Sequence, residues 1–262
     1  MSEPRRVALV TGASGGIGAD LARVMARNGH DLALVARSVD KLAALAAEIA
    51  ATGRPAPLVV AMDLAAPGAA DALAKAMSDA GAKVELLVNN AGFGLNGAAL
   101  TLDRAEQADM IDLNVRALTD LSLRFAPDIA AARGKILNVA SVAAFLPGPG
   151  MAVYYATKAY VLSFSEALGE ELRPSGATVT CLCPGYTATD FQARAGLAGA
   201  ALDKFPAMTS MAVAEAGYAA MMAGRRRVTT GLSNKIMVAL LPLIPRSLVL
   251  PIVARLQMKR HV

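Results

Sequence analysis

The chain has 262 residues, with 26 Lys and Arg against 21 Asp and Glu, a formal net charge of +5. Its composition, 55% hydrophobic and 18% charged, lies outside the range of disordered chains and supplies a large core. Two Cys and two His (His30 and His261) argue against a disulfide scaffold, a cysteine-built metal site and a His-centred catalytic apparatus. The basic balance does not indicate nucleic acid. Basic residues are scattered singly, and the densest run, Arg225-Arg226-Arg227, has no interleaved aromatics for base stacking, so it reads as a solvated surface.

In chain order, nearly continuous apolar runs predict strands over 6–10, 31–36, 56–62, 84–89, 135–140 and 178–183, as in parallel strands covered on both faces. Helical periods fall between them, over 16–27, 39–52, 69–80, 103–125 and 152–172. In the first, Ile17, Leu21, Val24 and Met25 share one face. This alternation predicts an α/β fold, a doubly wound Rossmann-type domain with a mostly parallel sheet flanked by helices. No linker or repeat divides the chain, so 1–262 reads as one domain. The first apolar run, Val7–Val10, is too short for a signal-peptide core, and a cytoplasmic location is expected. Cys181 and Cys183, two apart on a strand, share a face and read as buried thiols rather than a disulfide.

Beyond Pro184 the texture changes. Gly, Ala and Met dominate 185–224, which is read as a substrate lid beyond the strand ends. An apolar extension fills 232–262. Its core, 236–256, is interrupted by Pro242, Pro245, Arg246 and Pro251, too often for a spanning helix. Three readings remain for it: a subunit interface or pocket cover, a peripheral membrane contact, or core packing. The first is preferred, and a homodimer or homotetramer is expected.

Four local patterns carry chemistry. Gly12, Gly16 and Gly18 lie between the first strand and first helix, where glycines let the backbone approach a pyrophosphate at a helix N-terminus. Their spacing is GxxxGxG, and a tight turn with no ligand is the plainer alternative. At the end of the second strand, Ala36-Arg37-Ser38 offers a guanidinium where a carboxylate would favour NAD, so a 2′-phosphate is expected there. Asp63 suits an adenine amino group or a local turn equally. Asn89-Asn90-Ala91-Gly92 leaves room beyond the fourth strand, and Asn114 stands inside a helix at a propensity cost. Finally, Ser141 ends the fifth strand, and Tyr154 and Lys158 follow at i and i+4 on one helical face. A nearby ammonium would lower the Tyr154 pKa and make it a proton donor and acceptor near neutral pH. Tyr155 points away and reads as a packing or rim residue.

Together TGASGGIG (11–18), NNAG (89–92), Asn114, Ser141, Tyr154–Lys158 and Pro184-Gly185-Tyr186-Thr187-Ala188-Thr189 resemble the short-chain dehydrogenase/reductase family over about the first 190 residues. The resemblance implies hydride transfer to or from a nicotinamide and a catalytic tetrad of Asn114, Ser141, Tyr154 and Lys158. It assigns cofactor contacts to Gly12, Ser14, Gly16, Ile17, Gly18, Arg37, Ser38, Asp63, Leu64, Asn90, Ala91 and Gly92. Tyr154 and Lys158 join them, with Pro184, Gly185, Thr187 and Thr189 on the nicotinamide side. Arg37 marks NADP(H) over NAD(H), although Gly15 stands where the family has a second basic residue. The expected activity is interconversion of a small, apolar carbonyl and its alcohol. A non-catalytic NADP-binding regulator is the alternative.

Overall fold

The computed structural model describes residues 4–196 and 207–258. Strand β1 (Arg5–Thr11) turns into helix α1 (Gly16–Arg27), and the unit repeats as β2 (Leu32–Ala36) with α2 (Val39–Ala51) and β3 (Leu58–Ala61) with α3 (Ala69–Asp79). Strand β4 (Ala82–Asn89) leads into α4 (Arg104–Ile111), a π-helical turn over Asp112–Ala117, and α5 (Leu118–Ala131). Strand β5 (Lys135–Val139), α6 (Ala152–Leu172), β6 (Thr178–Cys183), β7 (Thr187–Ala188) and α7 (Phe191–Arg194) follow. The described chain resumes with β8 (Met208–Thr209), α8 (Ser210–Met222), β9 (Arg227–Thr229), α9 (Leu232–Leu240) and α10 (Arg246–Met258).

Seven parallel strands are ordered β3-β2-β1-β4-β5-β6-β9, and β7 pairs with β8 in a separate ribbon. This is the doubly wound sheet expected. Side chains on a strand alternate between faces. Thus Ala8 and Val10 face a core built with α1, α2 and α8, while Val7 and Leu9 face one built with α3, α5 and α6. Strand order reverses between β1 and β4, and a crevice opens there beyond their carboxyl ends.

Several boundaries depart from expectation for local reasons. Strand β3 starts at Leu58, directly after Pro57, which has no N–H to give a ladder. The single helix expected over 103–125 is two α-helices joined by the π-helical turn, and it runs on to Ala131. Strand β9, three residues led by Arg227, has no sequence signal and exists through its pairing with β6. The Arg run is exposed, as expected, and two of its members make surface ion pairs. Arg226 pairs with Glu170 at 2.8 Å and Arg227 with Glu166 at 3.5 Å. The lid expected over 185–224 is too long. Helix α8 packs on α1 with Val213, Ala214 and Met221 fully buried, so 210–222 is core, and 197–206 lie outside the described residues. Cys181 and Cys183 are free and buried, with sulfurs 3.8 Å apart.

A buried polar chain ties the central strands to the helices above them. Asn89 Nδ2 donates to Ser122 Oγ on α5 and to Asn138 Oδ1 on β5, each at 2.9 Å. Asn138 Nδ2 donates to Ser165 Oγ on α6 at 2.9 Å. Both serines donate onward to carbonyls of their own helices. Replacing Asn138 by Ala removes one partner each from Asn89 and Ser165, which keep Ser122 and the Val161 carbonyl. A loss of ~1–3 kcal/mol should therefore lower the melting temperature by roughly 2–10 °C. Calorimetry measures this directly, and an unchanged transition would show that the network adds nothing to stability.

Candidate active site

The site begins where β1 stops pairing. Thr11 Oγ1 donates to the Val88 carbonyl at 3.1 Å and accepts from the amides of Asn90 (3.0 Å) and Ala91 (3.1 Å). Asn90 Nδ2 answers by donating to the carbonyls of Thr11 (3.0 Å) and Gly12 (3.2 Å). The ends of β1 and β4 are thereby locked together. Gly12 adopts φ +64°, and a Cβ on Gly18 would lie 2.3 Å from the Gly12 carbonyl oxygen. Only glycine permits this approach of α1 to the turn. No side chain caps α1 at Gly15, so its first amides are left to a ligand or solvent.

At the far end of the crevice Arg37 is exposed on the cavity wall beside Ser38. Among the described residues it makes no ion pair. Asp63 also lines the cavity, but its Oδ1 accepts from the Ala65 amide at 3.0 Å, which is the local-turn role. Leu64 beside it is buried.

On the other side of the crevice the sequence-predicted tetrad gathers around the ends of β4 and β5. Asn114 occupies the π-helical turn, a feature that recurs at functional sites. Its Oδ1 accepts from the Phe93 amide at 3.0 Å, and its Nδ2 donates to the Phe93 carbonyl (2.9 Å) and to Thr157 Oγ1 (3.1 Å). Helix α6 places Tyr154 and Lys158 on one face, with Nζ 5.8 Å from the Tyr154 ring centre. Lys158 Nζ donates to the Val139 carbonyl at 2.9 Å. Ser141 Oγ donates to the Pro184 carbonyl at 3.4 Å and accepts from the Ala143 amide at 3.1 Å, and it lies near enough to Tyr154 to draw the phenol's pKa down.

The electrostatics correct one expectation. Burial pushes the Tyr154 phenol above its ordinary value, against the opposing pull from Ser141, so the ammonium does not depress it here. Burial also draws Lys158 down, to about 8. The same low-dielectric wall disfavours both charges, and it outweighs their attraction across this distance.

One cavity of about 560 Å³ joins these parts, from Arg37 past the glycine turn to Tyr154 and beyond. Every expected site position lines it except Gly18 and Asn114. Gly18 acts by letting α1 pack against Gly12, and Asn114 stands one layer behind, holding Phe93 and Thr157. Pro184, Gly185, Thr187 and Thr189 form the opposite lip. Thr187 Oγ1 donates to the Gly185 carbonyl at 3.0 Å, and Thr189 comes close to Gly16 across the crevice.

Beyond Tyr154 the wall combines Phe93, Met151, Tyr155 and Phe191 with the polar side chains of Asn96, Asp190, Gln192 and Arg194. Gln257 of α10 also lines it, and its amide nitrogen donates to the Tyr155 hydroxyl. Its buried Oε1 has no hydrogen-bond partner among the described residues. Neither Gln257 nor Phe93 was marked by any sequence pattern. Tyr155, expected at the rim, is a wall residue with this polar partner.

Comparison with known proteins accords with this geometry. A family model described as short chain dehydrogenase matches residues 6–198. A 3-oxoacyl-[acyl-carrier-protein] reductase from Synechocystis sp. is 35% identical over 193 residues, covering 71% of this chain and 75% of that protein. A sulfoacetaldehyde reductase from Chromohalobacter salexigens is 35% identical over 185 residues, covering 70% and 72%. Among solved structures, a short-chain dehydrogenase from Sphingobium yanoikuyae in complex with NADPH aligns with a TM-score of 0.80 and 33% identity, covering 93% and 94% of the two chains. A short-chain dehydrogenase/reductase from Burkholderia phymatum in complex with NAD aligns at 0.79 and 27% identity, covering 92% and 94%. The chain belongs to the short-chain dehydrogenase family of oxidoreductases.

The buried lysine has a consequence for stability. Below about pH 8 it is charged in both folded and unfolded chains, and burying that charge costs stability. Between there and its ordinary value of 10.5 only the unfolded chain keeps the proton, so folding gains as pH rises through that window. Thermal unfolding of wild type and Lys158→Met should therefore show a difference that shifts in favour of wild type from pH 8 to 10. A constant difference would mean that Lys158 is not held as the neutral amine.

Proposed function

We propose that this chain is an NADP(H)-dependent oxidoreductase that interconverts a small, largely apolar carbonyl compound and its alcohol. The observation that carries this reading is the convergence of Ser141, Tyr154 and Lys158 on the cavity whose other end holds the uncommitted Arg37. The close Gly12–Gly18 approach and the uncapped start of α1 fit a pyrophosphate, and Arg37 fits a 2′-phosphate. When bound, the nicotinamide supplies or accepts the hydride at the carbonyl carbon.

The chain's own residues do the rest. In the reductive direction, Ser141 donates a hydrogen bond to the carbonyl oxygen and stabilises charge developing there. Tyr154, held neutral by burial, delivers its proton to that oxygen. Lys158 would hold the cofactor's ribose hydroxyls, and its positive charge favours the tyrosinate left behind. Asn114 fixes the Phe93 backbone and Thr157, and so sets the position of α6 against β4 and of any water that returns a proton to Lys158. Phe93, Met151 and Phe191 supply the apolar part of the wall for the substrate. The cytoplasm as location and a second copy of the chain as partner belong to the same reading. A non-catalytic NADP-binding regulator would have no use for Ser141, Tyr154 and Lys158 together on the cavity wall.

Tyr154→Phe should lower kcat by at least ~100-fold on a ketone or aldehyde substrate while leaving NADPH binding intact. Turnover close to wild type would move the proton-transfer role to another group. For cofactor choice, Arg37→Ala should weaken NADPH by roughly ten- to a hundredfold, the loss of a charge-assisted contact worth ~1.5–3 kcal/mol, and leave NADH unchanged. Fluorescence titration of both cofactors decides it, and equal affinity of the wild type for the two would refute the NADP assignment.

A further inference from the structure

The last two helices leave an apolar surface that nothing in the described chain covers. Helix α10 buries Val249 and Val253 on one side, but Leu248 and Ile252 on the adjoining side are 59% and 57% exposed. The linker before it exposes Leu243 at 78%, and α9 exposes Leu240 at 51%. A surface helix should be polar where it meets water, and one that is apolar on both faces needs cover on both. Between Ile236 and Ala254 the only polar side chains are those of Arg246 and Ser247, so the exposed side chains of this stretch are almost all apolar.

Charge identifies what covers it. After Glu215 the sequence contains no Asp or Glu, yet it holds eight Lys and Arg, while residues 1–215 hold 18 basic against 21 acidic. Arg226 and Arg227 are spent on Glu170 and Glu166. Lys235, Arg246 and Arg255, all exposed on α9 and α10, make no ion pair among the described residues. A self-complementary contact between two copies of this face would set cation against cation with no acid to relieve it. An apolar segment whose own charged side chains are all cationic is instead complementary to an anionic bilayer surface, whose acyl region takes the leucines and whose headgroups take the charges. No helix among the described residues is long and apolar enough to cross a membrane, so the contact is peripheral.

We infer that the α9–α10 surface docks the protein on anionic lipid membranes. The preferred expectation of a subunit interface at this segment gives way to the membrane contact, and any homo-oligomer forms through another face. The test is co-sedimentation of the full chain with vesicles of phosphatidylglycerol and phosphatidylcholine, against vesicles of phosphatidylcholine alone. Binding should be about tenfold or more stronger to the anionic vesicles and should weaken with added salt. Leu248→Ser/Ile252→Ser and Arg246→Gln/Arg255→Gln should each reduce it by about tenfold or more, with NADPH affinity and melting temperature unchanged. The altered side chains are exposed, so the variants keep the core. Absence of vesicle binding, equal binding to both vesicle types, or full binding by either double variant overturns the inference. So does a dimer in light scattering that Leu248→Ser/Ile252→Ser converts to monomer.

Discussion

A parallel sheet ends in main-chain groups that have run out of ladder partners, and everything at this site depends on how those ends are satisfied. Here side chains take over from the ladder. Thr11 and Asn90 exchange hydrogen bonds with the opposing strand end, and Asn114 pairs with both polar groups of the Phe93 backbone as a neighbouring strand would. The crevice between β1 and β4 is open to ligand because these amides and hydroxyls hold its walls apart at fixed spacing. The glycines then bring α1 up to it.

The same device separates two kinds of residue that sequence reasoning groups together. Ser141, Tyr154 and Lys158 reach the cavity, whereas Asn114 and Gly18 act from behind it. Their position in a motif gives no sign of that difference. It follows from which partner each finds: Asn114 meets a backbone segment 21 residues earlier, and Gly18 meets the carbonyl of Gly12. The buried chain from Asn89 through Asn138 to Ser165 extends the logic inward, fixing α5 and α6 on the sheet.

Much of the fold was legible because strand periodicity and glycine placement are local. Helices α1 and α6 and strand β6 fall at their expected bounds, and the Tyr154–Lys158 spacing needs only helical geometry. What escaped was non-local. Strand β9 is defined by its partner β6, the π-helical turn by the demands on Asn114, and Gln257 by the path of α10 back to Tyr155. The raised Tyr154 pKa was missed for a related reason. Sequence spacing shows the neighbouring charge but not the burial that outweighs it.

The π-helical turn also bears on how the gene can change length. An α-helix advances about 100° per residue, so any insertion or deletion rotates everything on one side of it relative to the other. The wide turn at Asp112–Ala117 carries about one residue more per turn than an α-helix, and Met110 before it and Leu121 after it are buried in different clusters. Loss of a single codon there would tighten the stretch into regular α-helix and leave its hydrogen bonds complete. Asn114 would nevertheless swing out of reach of Phe93. In this helix even a frame-preserving deletion would turn the buried face of α4 away from its partners and take Asn114 from Phe93 at the same stroke.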